Sequence, residues 1–231
     1  YPWIPKISAD DRFEYIATVY KQAARLDMDT ELVFLACNYI DRLLSARKLE
    51  FIAIYVCVAL NIASKYEQGM ASRISDILKD KQMEFVSKDY FKQIEQCVLE
   101  TLDWLVGVKT VYYFIAKYVR IGELEKNVRE MSIFFAKATL WFNKYCYINV
   151  SKLALTCICL ACRYTNTEFD FSVFQPFTVF KLVDLHVDEL RDSCVELFAR
   201  KIFIDRLSKA ECEISFAKKT PENQRKRKRV E

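Results

Sequence analysis

Few residues in this 231-residue chain can do covalent chemistry. His186 is the single histidine, so histidine-based acid–base catalysis and histidine-ligated metal sites have little to draw on. Only three glycines are present, and neither GxGxxG nor GxxxxGK[ST] occurs, which removes the usual phosphate cradles. Nine cysteines are present, most of them inside apolar runs. Cys157, Cys159 and Cys162 come close to a metal spacing, but at 100° per residue the first two lie about 200° apart around a helix. Buried, reduced thiols are the better reading, and no metal or cofactor is expected. No nucleophile–base–orienter set is visible, so an α-helical enzyme is a poor fit.

What remains is charge placed for recognition. Lys65 ends the apolar run FIAIYVCVALNIASKYE (51–67), where it leaves the core and marks a candidate working edge. Arg12 and Asp41 both border apolar stripes, and a bidentate pair between them would lock two helices together. Five consecutive basic residues, Arg225, Lys226, Arg227, Lys228 and Arg229, lie near the C-terminus. Residues 214–231 hold seven Lys/Arg against two Glu, a net +5 in a chain of +4, so the remainder stands at −1. A body without basic excess argues against a phosphate-binding surface and against direct nucleic-acid binding.

The elements that must position these residues are helices. Hydrophobic residues make up 52% of the chain, and with three Gly and four Pro it favours long helices over tight turns. The 51–67 run is too long for a buried strand and too short to cross a bilayer. A helix apolar on every face belongs at the centre of a bundle. Around it the pattern predicts a helix from Ser8 to about Leu26. A second is capped at Asp29-Thr30, with a stripe of Leu32, Leu35, Ala36, Tyr39, Ile40, Leu43 and Leu44. A short helix follows at Ser72–Leu78, and a fifth helix is capped by Ser87. After a connection at Asp103–Lys109 the order repeats: Val111–Val119, Leu124–Asn143, the mostly apolar Val150–Tyr164, Phe171–Val183 and Val187–Leu207. Ala63-Ser64-Lys65-Tyr66 corresponds to Ala161-Cys162-Arg163-Tyr164, 98 residues later, as in an internal duplication. Neither a signal peptide nor a membrane span is read.

The expected architecture is therefore all-α. Residues 1–7 form a lead-in, 8–106 and 107–207 two tandem five-helix units, and 208–231 a basic, disordered tail. In the second unit Phe134, Phe135, Trp141, Phe142 and Tyr145 sit at helical spacing and are expected mostly in the core, some of them able to widen an interface.

At this point the chain resembles the cyclins, over nearly its whole length. Asn38-Tyr39-Ile40-Asp41-Arg42-Leu43-Leu44 resembles the family's NYIDRFL run, and Ala63-Ser64-Lys65-Tyr66-Glu67 its ASKFE run. Ile94-Glu95-Gln96-Cys97-Val98-Leu99 resembles MExxVL, followed by Leu102-Asp103-Trp104 in place of L-x-(Phe/Trp). The style is that of cell-cycle cyclins, A/B-like, more than of transcription-associated ones. The resemblance implies two tandem cyclin boxes and a non-catalytic activating subunit of a cyclin-dependent serine/threonine kinase, bound as a heterodimer. It implies that Arg12, 29 residues before Asp41, makes the box's structural pair. It also implies that Lys65 and Glu95 grip backbone near the start of the kinase C-helix, with Tyr66, Leu99 and Trp104 as apolar neighbours. Ile54 stands where the family commonly has Leu.

One departure concerns the first helix. Asp11-Arg12-Phe13-Glu14-Tyr15, with Thr18 in place of a Trp, stands where many cell-cycle cyclins carry an MRAIL run, so peptide docking of that kind is not expected. The basic block reads as a nuclear import signal recognised by an import receptor, against a purely solvating tail, with the chain expected in nucleus and cytoplasm. Thr220-Pro221 lies just before it, where a phosphate would add negative charge. Two rival readings share the fold class: a two-box general transcription factor, which calls for a basic body, and a viral cyclin, which would differ in regulation.

Overall fold

The structure, a computed structural model, describes residues 9–69, 74–80, 83–169 and 180–199. Among them every regular element is helical. The elements are α1 (Ala9–Arg25), α2 (Thr30–Ala46), α3 (Ile52–Gln68), α4 (Ile74–Ile77), α5 (Lys88–Thr101), α6 (Val111–Ile121), α7 (Lys126–Thr139), α8 (Val150–Thr165) and α9 (Phe180–Ala199). A 3-10 turn at Asn143–Tyr147 joins α7 to α8. The chain divides into two compact units, one ending at Asp192 and the other starting at Ser193. The candidate site described below lies in the first.

α3 is the hub. Ile54 and every residue from Val56 to Ser64 are buried, because α1, α2 and α5 all pack on it. Ala59 and Ala63, both fully buried, let those neighbours approach closely. The helix stops at Gly69, whose φ of 64° is the left-handed conformation that glycine adopts without penalty. α8 holds the corresponding place further along. It is buried from Leu153 to Ile158 and from Leu160 to Cys162, and it packs on α6 and α7. α2 and α6 touch directly and connect the two sets of helices.

Helix starts follow local chemistry. Ser87 Oγ accepts from the Tyr90 N–H (3.1 Å), Thr110 Oγ1 from the Tyr113 N–H (3.3 Å) and Asn149 Oδ1 from the Ser151 N–H (2.9 Å). Asp29 occupies the cap position of α2 without making a cap bond. Its Oδ2 accepts instead from Gln68 Nε2 (2.7 Å) and ties the start of α2 to the end of α3. Arg25, in the last turn of α1, donates to the carbonyls of Asp76 (3.0 Å) and Ile77 (3.1 Å) and so fixes the single turn α4. The buried Gln22 adds a bond to Asp80 Oδ2 (2.7 Å).

Three expectations change. The helix expected over Leu124–Asn143 is shorter, Lys126–Thr139, because the chain turns into the 3-10 segment that brings Trp141 and Tyr145 into the core. The separate helices expected at Phe171–Val183 and Val187–Leu207 are one helix across 180–199, since Asp184, Leu185 and His186 contain no breaker. The short helix expected over Ser72–Leu78 ends at Ile77 rather than Leu78, and its described part is Ile74–Ile77. Residues 170–179 and 200–231, including the basic block, lie outside the described residues, as do the lead-in, 1–7, and Ser8.

Among the described residues no helix is long and apolar enough to cross a membrane. None of the eight described cysteines is in a disulfide. Cys37, Cys57, Cys157, Cys162 and Cys194 are buried, while Cys97, Cys146 and Cys159 are half-buried. No group of three or more metal-ligating side chains occurs among the described residues.

Candidate functional site: the α3–α5 edge

Lys65 lies in the last turn of α3, where the helix first meets solvent after its buried run. Glu95 lies midway along α5. The packing of these two helices brings Lys65 Nζ to 2.5 Å from Glu95 Oε1. Lys65 is 43% exposed and Glu95 13%, so the carboxylate is set in the surface and the ammonium stands over it. Asn61, one helical turn before Lys65, donates from Nδ2 to the same Glu95 Oε1 (3.1 Å) from inside the core. The sequence reading did not single out Asn61. Its signal was available: one amide in an otherwise apolar stretch, four residues before Lys65.

The apolar residues line up beside this pair. Leu99 follows Glu95 by one turn of α5 and is half-buried. Tyr66 is 46% exposed, and its hydroxyl lies only 2.7 Å from where a Cβ on Gly107 would sit, so glycine is what admits the ring there. Trp104 and Leu105 are each 63% exposed. The turn that carries them is wound tightly. Asp103 and Trp104 both have positive φ (50° and 58°), and the Trp104 N–H donates to the Leu99 carbonyl (2.9 Å). Two residues of the NYIDRLL run hold that turn from below. Arg42 donates to the carbonyls of Leu105 (2.6 Å) and Leu102 (2.8 Å), and Tyr39 Oη donates to the Val106 carbonyl (2.8 Å). Burial lowers the Arg42 pKa, partly offset by the fields of Tyr39 and Asp103. The sequence reading gave Arg42 no role beyond its place in the Asn38–Leu44 run; its three-residue spacing from Tyr39 already put both on one face.

A second constellation joins the helix sets. Arg12 is 1% exposed and reaches both oxygens of Asp41, Nε to Oδ1 and Nη2 to Oδ2, each at 2.9 Å. Its Nη1 donates to the Leu140 carbonyl at the end of α7. Burial works against the guanidinium charge, yet the field and hydrogen bonds of Asp41 prevail and raise the Arg12 pKa. Cys146 Sγ lies 3.9 Å from Asp41 Oδ2; burial and that carboxylate push the thiol up to about 12. A cavity of about 420 Å³ opens beside the pair, lined among others by Asn38, Thr110 and Asn149. Trp141 packs on Phe13 (4.8 Å between centroids) and stacks on Tyr20 (5.3 Å, 13° between planes), both on α1. Phe134, Phe135, Trp141 and Tyr145 are buried and Phe142 half-buried.

On α1, Glu14 is exposed, and Thr18 Oγ1 donates back to the Glu14 carbonyl (2.9 Å). Phe13, Tyr15 and Thr18 on the same stretch are half-buried.

The described residues thus form a helical scaffold with a cation–anion pair and exposed aromatics at one helix edge. Residues 4–107 match the family model described as the cyclin N-terminal domain. The matched part, the first half of the chain, thus carries a cyclin N-terminal domain. The chain is 26% identical over 121 residues to the G2/mitotic-specific cyclin-2 of Medicago sativa, covering 50% of this chain and 36% of that relative. It is 25% identical over 159 residues to Cyclin-B1-3 of Arabidopsis thaliana, covering 67% of this chain and 37% of the relative. The chain thus spans little more than a third of these relatives' length. Among solved structures, the viral cyclin from herpesvirus saimiri has the same fold, with a TM-score of 0.69 at 12% identity, over 82% of this chain and 86% of that one.

Proposed function

We propose that this chain is the non-catalytic regulatory subunit of a cyclin-dependent serine/threonine kinase acting in cell-cycle control. It grips the kinase through Lys65 and Glu95, with Tyr66, Leu99 and Trp104 forming the apolar surround. The observation that carries this reading is the α3–α5 edge itself. Residues far apart in sequence converge there as one cation, one set-in carboxylate and three accessible apolar side chains. Lys65 has three N–H donors for backbone carbonyls, and Glu95 accepts from backbone N–H groups. Apolar side chains around such polar anchors exclude water and strengthen them.

The chain performs no chemistry in this reading. A protein kinase needs its strand lysine paired with the C-helix glutamate before phosphoryl transfer. A subunit that binds the paired conformation more tightly shifts the population toward it. Taking the ratio from 1:99 to 99:1 requires about 5.5 kcal/mol of differential binding. An interface of standard size, about 1,600 Å², with a desolvated centre has that capacity. The two boxes are assigned to residues 8–106 and 107–207. The packing of α1, α2 and α5 on α3, and of α6 and α7 on α8, supports this division. The block 225–229 is assigned as an import signal, which a reporter fusion of residues 214–231 would test by nuclear accumulation.

The deciding experiment is co-purification from lysate of wild type and of the Lys65→Glu/Glu95→Lys double variant. The swap keeps an ion pair across α3 and α5, so the scaffold survives, while the charges offered to a partner are reversed. Loss of a kinase that the wild type retains supports the assignment. Equal retention of that kinase by both refutes it.

A further inference from the structure

We propose that Asn61 is a positioning residue that aims Glu95 at the partner, an inference that rests on the kinase-binding reading above. Asn61 is completely buried in the most apolar part of α3. One end of its amide is used: Nδ2 donates to Glu95 Oε1 at 3.1 Å. The other end, Oδ1, is buried with no hydrogen-bond partner. A buried carbonyl without a donor destabilises a fold, and an apolar side chain of similar size would remove that penalty. The amide is therefore a poor choice for packing alone, and its one satisfied contact points at the carboxylate.

The geometry gives that contact a task. Both donors that reach the Glu95 carboxylate, Lys65 Nζ and Asn61 Nδ2, fall on Oε1. Oε2 is left to accept from outside. Lys65 is the more exposed partner and rides on a flexible stem, so it can swing away to the kinase. Once it does, Asn61 is the donor that still holds Oε1 from within the core. Glu95 then meets the kinase in one orientation rather than several, and binding loses less side-chain entropy.

The test is Asn61→Leu in the full chain, with Asn61→Met as a second variant in case the branched side chain does not fit. The expected result is an unchanged or higher midpoint of thermal unfolding, together with roughly tenfold weaker binding to the kinase that the wild type retains. The concentration needed for half-maximal activation should rise while the activity of the saturated complex stays the same. In a Glu95→Ala background, Asn61→Leu should weaken binding no further. A crystal structure of the free variant should show the Glu95 carboxylate moved from its wild-type position. A merely structural role predicts instead that stability and affinity fall together, and that the loss persists in the Glu95→Ala background. Either that result or an unmoved Glu95 overturns the proposal. If the wild type itself binds no kinase, the functional reading has failed, and the position of Glu95 in the free variant still decides whether Asn61 places it.

Discussion

Arg12 and Asp41 meet through two parallel 2.9 Å hydrogen bonds, and the same guanidinium reaches the Leu140 carbonyl, 128 residues away in sequence. One side chain thus joins α1, α2 and the end of α7. Removing one partner of a buried pair costs about 3–5 kcal/mol, since the charge left behind has lost its partner. Arg12→Ala should lower the unfolding free energy by that order in urea titrations. Arg12→Met/Asp41→Leu should recover much of the loss but not all of it, because the Leu140 carbonyl remains without its donor.

Gly107 faces the Tyr66 hydroxyl across a gap that a methyl group would close to 2.7 Å. Gly107→Ala should therefore turn the Tyr66 ring aside with little loss of stability, because the obstructing atom is the tip of a side chain. Kinase affinity measured by titration should drop several-fold. Tyr66→Phe in the same chain, which deletes the obstructing oxygen, should restore most of it.

Phe51 precedes α3 with φ of 52° and is 84% exposed. An L-residue in the left-handed region costs about 1–2 kcal/mol, and a glycine introduced there loses roughly 0.5–1 kcal/mol of extra chain entropy on folding. The first effect is the larger. Phe51→Gly should raise stability by about 0.5–1 kcal/mol, seen as a higher melting midpoint. A fall would mean that the ring makes contacts its exposure does not suggest.

Cys57 is fully buried on α3, and burial raises its thiol pKa from 9.0 to about 12, with Arg25 and Asp80 acting in opposite directions. A raised folded-state pKa means that the native state holds the proton more tightly than the unfolded chain. This contribution is complete below pH 9 and is lost as the pH climbs toward 12. Wild type should lose stability more steeply than Cys57→Ala over that window, by at most about 1.4 kcal/mol per pH unit. Melting curves at pH 8.5, 9.5 and 10.5 would read the difference.

The sequence carried those features that local pattern dictates. An unbroken apolar run gave the hub helix within a residue at each end, and Ser87 announced the start of α5 through its own hydroxyl. Asp29 marked a helix start as well, but tertiary structure redirected its carboxylate to Gln68. The break expected near Asp184–His186 came from completing a second set of five helices, but those residues include no glycine or proline and the helix runs through them. The turn at 102–106 was less legible. Its two positive-φ residues are an aspartate and a tryptophan, and what holds them there is Arg42 and Tyr39, more than 60 positions earlier. Side-chain-to-carbonyl bonds of that span leave no periodic trace. Asn61 was visible as a residue type, but its meaning depends on Glu95 standing opposite, which only the packing of α5 on α3 reveals.

The carbonyls of Leu102, Leu105 and Val106 are all occupied by side chains rooted in α2. A surface loop would ordinarily fluctuate among many shapes and surrender that freedom on meeting a binder. Here the freedom was already given up when the domain folded. An incoming molecule meets the indole of Trp104 on a finished platform, so little of the energy of encounter is diverted into ordering it, and complexes should form by direct collision rather than by slow mutual adjustment.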